Sequence, residues 1–432
     1  MSLCKKIMLA LSCIFLWLVS AATALAETNL TIWCWDKHFN GAAAQMAVDH
    51  YMESHNDVKV NIRIFERMDM YNELKTLLAQ GRYDALPDIF LMEDYQVHKY
   101  MDIYPAFFKD LSAFVKNDSF APYKLAVSTL GERHFGVPFD SGIIATFIRL
   151  DLFEMADYTL DDLQNLTWDE FIEIGRKVRA VTGTPLYSYD PNDISIFYAF
   201  MQSTGTWFTA KDGHRVTISN NEALKEGFRV FKKMNQLGLL RTYTSWDNML
   251  ELYNSGKIAA IVQGGWIIPS LKTQKDNKDK WRMIPMPKLD LPNASHYSNL
   301  GGSQWYVNGK SPNADAAANF LAGTFINDRS LINQLVPKIG LISTIKDISR
   351  LPNYQKPERF FGNQLIFRHL TNWAENVPGV NYGNYTSNID PIIRTALNQY
   401  LRGANLDDVL DEAQTEAEVM ISELFADPAA SL

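Results

Sequence analysis

The sequence predicts an α/β fold built on a parallel sheet. Apolar or alternating runs at 30–36, 58–65 and 87–92 read as strands, and helical spacing fills 42–52 and 71–80 between them. Strand, helix, strand, helix, strand at this spacing makes βαβ units. With 47% hydrophobic and 21% charged residues, the 432-residue chain has ordinary globular composition and length for two or three domains.

The first 26 residues stand apart. Lys5-Lys6 give a positive start, Ile7 to Val19 is apolar apart from Ser12, and Ala24-Leu25-Ala26 is an A-x-A cleavage site. This pattern reads as a signal peptide. The apolar run is shorter than the roughly 20 residues of a membrane span, and Ala10-Leu11-Ser12-Cys13 is a poor lipobox. The mature chain is therefore expected to start near Glu27, periplasmic and without a lipid anchor. Cys4 and Cys13 leave with the leader, so Cys34 has no disulfide partner and is expected as a buried apolar residue. The net charge falls from −8 to −10 when Lys5 and Lys6 are removed. That argues against nucleic acid and anionic membrane surfaces as partners.

The elements follow in order. Leu30 to Asp36 is the first strand, Val58 to Phe65 the second, and Pro87 to Met92 the third, with Glu93-Asp94 at its end. Gly136-Val137-Pro138-Phe139-Asp140 leads into a strand at 143–148. Thr167-Trp168-Asp169-Glu170 is a capping box, and Ser219-Asn220-Asn221-Glu222 reads as a second, for a helix stopping at Gly238. Between them lie a strand at 185–189, a helix at 194–202, and a hairpin from Trp207 to Ile218 around Asp212-Gly213. A short helix covers 248–254. A buried strand, 258–262, then ends in Gln263-Gly264-Gly265-Trp266, with Pro269 suited to the first turn of a new helix. A strand at 281–286, a loop Gly301-Gly302 entering a strand to Val307, and a helix at 315–326 come next. Residues 328–388 are broken by Asn, Pro and Gly. Asp390 reads as the cap of a helix with Pro391 at its first position, and 406–425 is a last amphipathic helix.

A strand ending in Gly-Gly with a Trp at the mouth of a helix suits a flat, partly apolar ligand. The alternative for Trp266 is a core side chain beside a tight turn. Trp35-Asp36 and Glu93-Asp94 stand at the C-terminal ends of strands, where open α/β sheets bind ligands; for Glu93-Asp94 the alternative is a helix cap.

In order and spacing these landmarks resemble the extracellular solute-binding proteins of bacterial ABC importers, in the carbohydrate-binding family that includes maltose-binding protein. The resemblance rests on Pro87-Asp88-Ile89, Gly136-Val137-Pro138, Arg149-Leu150-Asp151-Leu152-Phe153, Thr167 to Phe171, Gly256-Lys257-Ile258-Ala259-Ala260, Gly265-Trp266 and Ala316 to Leu321. It implies a periplasmic-binding-protein-like fold, with two α/β lobes, a ligand cleft and several hinge crossings. Lobe one would be 27–138 with 288–340, and lobe two 142–285 with 341–432. By the same resemblance, the family's Gly-x-Trp motif would make Trp266 a sugar-stacking residue. Trp35, Asp36, Glu93 and Asp94 would reach the ligand from the other lobe. Asp140 beside a crossing, Gly301, Gly302 and Trp207 complete the candidate site; Trp373, Tyr382, Asn384 and Tyr385 form a polar-aromatic loop able to line lobe two. The expected ligand is a neutral mono- or oligosaccharide, and the expected partners are an ABC permease and its ATPase subunit. The protein is expected to be a monomer without metal or cofactor.

A glycosidase would also use paired carboxylates and Trp, but the chain lacks the regular repeat of a (β/α)8 barrel. It has no His-Glu-x-x-His, Gly-x-Ser-x-Gly, P-loop or dinucleotide motif. Within the importer class, a polyamine is the closest competitor, because carboxylates and aromatic rings also cage cations.

Overall fold

The computed structural model describes residues 27–426, so the expected signal peptide, with Cys4 and Cys13, lies outside the described residues. Two sheets organise the chain. The first has five strands in the spatial order Val58–Phe65, Thr28–Trp35, Ile89–Glu93, Ser303–Val307, Gly136–Pro138. The first three pair in parallel, with Thr28 opposite Val58 and Ile32 opposite Ile89. Ser303–Val307 enters antiparallel, setting Ser303 beside Glu93 and Gln304 beside Pro138.

Position in the sheet explains the composition of each strand. Ile89 to Met92 is covered on both faces and is apolar at every position. Val58–Phe65 lies at the edge and alternates, with Lys59, Asn61 and Arg63 exposed. Arg63 protects that edge, lying 4.1 Å from the Phe65 ring and pairing with Glu73 at 2.9 Å.

The second sheet has Ile144–Arg149 at its centre, flanked antiparallel by Ala260–Gly264 and Trp281–Ile284. Gly264 stands opposite Ile144, so the Gly-Gly-Trp turn and the entry of the central strand share one edge. Phe139 to Ile143 connects the two sheets. Residues 288–300, expected with the first lobe, bond instead beside the second sheet: Trp168 N–H donates to Lys288 O, Ser298 Oγ to Ala199 O, and Ile144 N–H to Ser298 O. The return to the first sheet falls at Gly301-Gly302.

The capping box Thr167/Glu170 forms as expected, with both reciprocal bonds, and opens Trp168–Thr182. The second does not. Gln414 Oε1 takes the N–H groups of Ile218 and Ser219, and Asn221 caps Glu222–Gln236 by accepting from Leu224 N–H. The expected hairpin forms as a short one: Thr209 bridges Val216, Ala210 N–H donates to Arg215 O and Thr217 N–H to Phe208 O, and the Asp212 carboxylate accepts the His214 and Arg215 amides in the turn. The helix assigned to Asp390 begins earlier, at Thr386, whose side chain and that of Ile389 are buried. Pro391 lies inside it, and Asp390 accepts the Tyr198 hydroxyl instead of capping. Cys34 is buried and unpaired, and burial pushes its thiol up to about 12.

Candidate functional site

A cleft of about 1470 Å³ opens between the two sheet edges. The first-sheet wall is built from strand ends. Trp35 is half-buried at the end of Thr28–Trp35. Asp36 follows in the left-handed region (φ 50), and its Oδ1 accepts the N–H groups of His38 and Phe39 at the start of Asn40–Met52. Glu93 ends the third strand. Its carboxylate takes a 2.5 Å bond from Arg67 Nη1, and its N–H donates to the Tyr71 hydroxyl at 2.9 Å. Burial lifts the Glu93 carboxyl above its ordinary range, and the Arg67 guanidinium opposes that shift.

The floor is the strap Leu300–Ser303. Asp140 Oδ1 accepts from Ser303 N–H at 2.8 Å and from its hydroxyl at 2.5 Å. Gly301 N–H donates to the Tyr95 hydroxyl at 3.0 Å. Gly302 has φ 99, and a Cβ there would stand 2.7 Å from Lys124 Nζ, so glycine is required on both counts.

The second-sheet wall carries Trp266, in the turn Gly265–Ile267. Its Nε1–H is spent on Leu300 O at 3.1 Å, which fixes the ring and ties this wall to the strap. Gly264 and Gly265 serve close approach here, not a positive φ. A Cβ on Gly264 would lie 2.2 Å from Trp266 Nε1, and one on Gly265 2.2 Å from Ile342 Cδ1. Pro269 sits in the first turn of Ile268–Leu271, as expected.

Seven of the nine sequence-derived candidates line this cleft: Trp35, Asp36, Glu93, Asp140, Trp266, Gly301 and Gly302. Asp94 and Trp207 do not. Asp94 is the first residue of the helix Asp94–Ile103 and turns inward to Lys124, 2.5 Å away, both side chains fully shielded. Burial raises its carboxyl to about 6 despite the lysine. Trp207 is 2% exposed and donates Nε1–H to Thr386 Oγ1, among Tyr95, Tyr198 and Tyr382. At the base of the short hairpin its ring packs into the core. Trp373, Tyr382, Asn384 and Tyr385 also miss the cleft; Asn384 bonds Asp102 and Tyr382 bonds Gln202.

Sequence reasoning passed over Trp246. It is 50% exposed, its ring centroid is 5.9 Å from that of Trp266, and it opens a helix capped by Ser245. The signal was present: a Trp in the first helical position, directly after an N-cap Ser. Arg67, Asp190, Asp193 and Gln263 also line the cleft. Burial raises the Asp193 carboxyl, against the bonds it accepts from Ser195.

The chain matches the family model of the bacterial extracellular solute-binding proteins over residues 46–362. It is 35% identical to the lactose-binding protein of Rhizobium radiobacter, over 92% of this chain and 94% of that one. It is 24% identical to the arabinooligosaccharide-binding protein of Bacillus subtilis (strain 168), over 68% and 69% of the two chains. Among solved structures, the sugar-binding protein MalE of Xanthomonas citri superposes with a TM-score of 0.78 at 16% identity, covering 93% of this chain and all 100% of that one.

Proposed function

The chain belongs to the bacterial extracellular solute-binding proteins, and we propose that it captures a di- or oligosaccharide in the periplasm for an ABC importer. The observation that carries this reading is the pairing of aromatic faces across the cleft: Trp35 on the first-sheet wall and the Trp246–Trp266 pair on the second, with carboxylates around them. A sugar ring offers an apolar C–H face to an aromatic plane and hydroxyls to acceptors at its edge. Ionised acceptors make the stronger hydrogen bonds, and a site built for hydroxyls rejects analogues that lack them. The cleft exceeds the roughly 1000 Å³ upper end of common small-molecule pockets, which leaves room for more than one ring. The lactose- and arabinooligosaccharide-binding relatives support the same class of ligand.

In this reading the two sheets and their helices are the lobes that close on the sugar. The crossings run through 139–143, 300–303 and 340–358, so the expected boundary at 288 moves to the strap. Closure follows because the ligand binds the closed arrangement better than the open one. The permease and its ATPase take the sugar onward, the protein acts without catalysing a reaction, and a cleaved leader delivers it to the periplasm. A thermal-shift screen over pentoses, hexoses and di- to tetrasaccharides tests the proposal. A stabilising saccharide that also changes Trp emission is the expected result. Stabilisation by putrescine or spermidine alone, with no saccharide active, overturns it.

A further inference from the structure

We propose that Arg67 and Glu93 form one recognition element, a donor and an acceptor that together read two neighbouring hydroxyls of the sugar ring lying against Trp35. The inference rests on the saccharide reading above.

Arg67 opens the helix Arg67–Ala79 and reaches across to the end of the third strand. Both partners line the cleft, and their side chains keep 50% and 21% of their exposure. Glu93 takes one guanidinium N–H, and the Arg67 side chain makes no other hydrogen bond among the described residues. Four of the five donors such a group carries are therefore free. The corner is held from behind. Tyr71, on the same helix as Arg67, is buried and accepts the Glu93 N–H, and its ring lies 6.2 Å from Trp35. One helix thus fixes donor, acceptor and platform together.

The chemistry follows from what each group can do. A carboxylate only accepts and a guanidinium only donates, whereas each hydroxyl does both. Side by side, the two ions satisfy adjacent hydroxyls that either one alone would leave half-bonded. A half-solvated ion pair adds little to stability, so folding gives weak reason for holding it here. Arg67 has a second effect, on the charge of its partner. Burial and the Asp140 carboxylate push Glu93 toward the protonated form, while Arg67 and the Tyr71 hydroxyl oppose them. Of the other neighbours, Asp94 is paired with Lys124, and the Tyr95 hydroxyl accepts from Gly301.

Titration calorimetry with the saccharide from the screen and its monodeoxy analogues tests the pair. It uses wild type, Arg67→Gln and Arg67→Lys, at about pH 7.5 and about pH 5.5. Wild type should lose roughly 10–100-fold for at least one deoxy analogue. Arg67→Gln should bind roughly 10–100-fold more weakly, discriminate that analogue poorly, and weaken further at the lower pH as Glu93 takes a proton. Arg67→Lys keeps the charge without the fork, so it should recover the pH tolerance but not the discrimination. Arg67→Gln with wild-type discrimination and a wild-type pH profile overturns the inference. If no saccharide binds wild type, the saccharide reading falls and this inference falls with it.

Discussion

Lys124→Met removes one partner of the ion pair beneath the strap and strands Asp94 in the interior. Lys124 Nζ and Asp94 Oδ2 are 2.5 Å apart with no side-chain exposure, and Asp94 Oδ1 has no hydrogen-bond partner among the described residues. Breaking a buried pair from one side costs about 3–5 kcal/mol, because the remaining charge is left uncompensated. The cost should depend on pH. Asp94 already titrates at about 6 in the folded chain, against 3.8 for a free aspartate, because burial outweighs the lysine. A folded-state value raised above the unfolded one means that the folded chain binds the proton first. That contribution is fully present below the unfolded value and is lost as pH rises through about 6; over this window it amounts to about 3 kcal/mol. Without Lys124 the folded value rises further, so the penalty should be largest near pH 8 and small near pH 5, roughly where the carboxyl is neutral. Urea denaturation of both proteins at the two pH values measures it. Asp94→Asn in the Lys124→Met background should recover much of the loss at high pH. An equal loss at both pH values, or a loss under about 1 kcal/mol at high pH, would refute the reasoning.

Trp266→Ala should weaken saccharide binding by about 2 kcal/mol, roughly 30-fold, by calorimetry. Trp246→Ala, at a half-exposed position, should reduce affinity roughly tenfold while the melting temperature stays within error. Trp207→Ala should do the reverse, destabilising the chain by about 3–5 kcal/mol in urea while the folded fraction keeps its affinity. Gly302→Ala forces a side chain into φ 99 against Lys124 and should cost about 1–3 kcal/mol of stability; a neutral result would mean that the strap relaxes.

The parts of this protein set by local chemistry were legible in its sequence. Alternation marked Val58–Phe65 to the residue, because an edge strand faces water on one side. The Thr167 capping box is closed by neighbours three residues apart and needs nothing distant. The errors arose where a distant group decided the outcome. Gln414, nearly two hundred residues on, takes the Ser219 backbone N–H and leaves Asn221 as the cap, and Asp390 was claimed by Tyr198. Glu93 and Asp94 show the same limit inside the site. Where a strand passes directly into a helix, adjacent side chains diverge. Only the position of Lys124 decides that Asp94 is the one facing inward. Trp207 was expected at the ligand and is buried, and Trp246, passed over, lines the cleft, because exposure of a ring depends on what packs behind it.

Tyr95 follows the first sheet, yet its ring sits in a box of Tyr198, Trp207 and Tyr382 from the other side, with centroids 4.7 to 5.9 Å away. In the proposed opening of the two lobes, that ring is drawn out of its box and pulls on the strap through the Gly301 bond. Opening of this kind unseats a joint and does not swing a loose hinge. Trp207, buried in the box wall behind Tyr95 and Tyr198, becomes a built-in optical gauge of how far the proposed joint has opened.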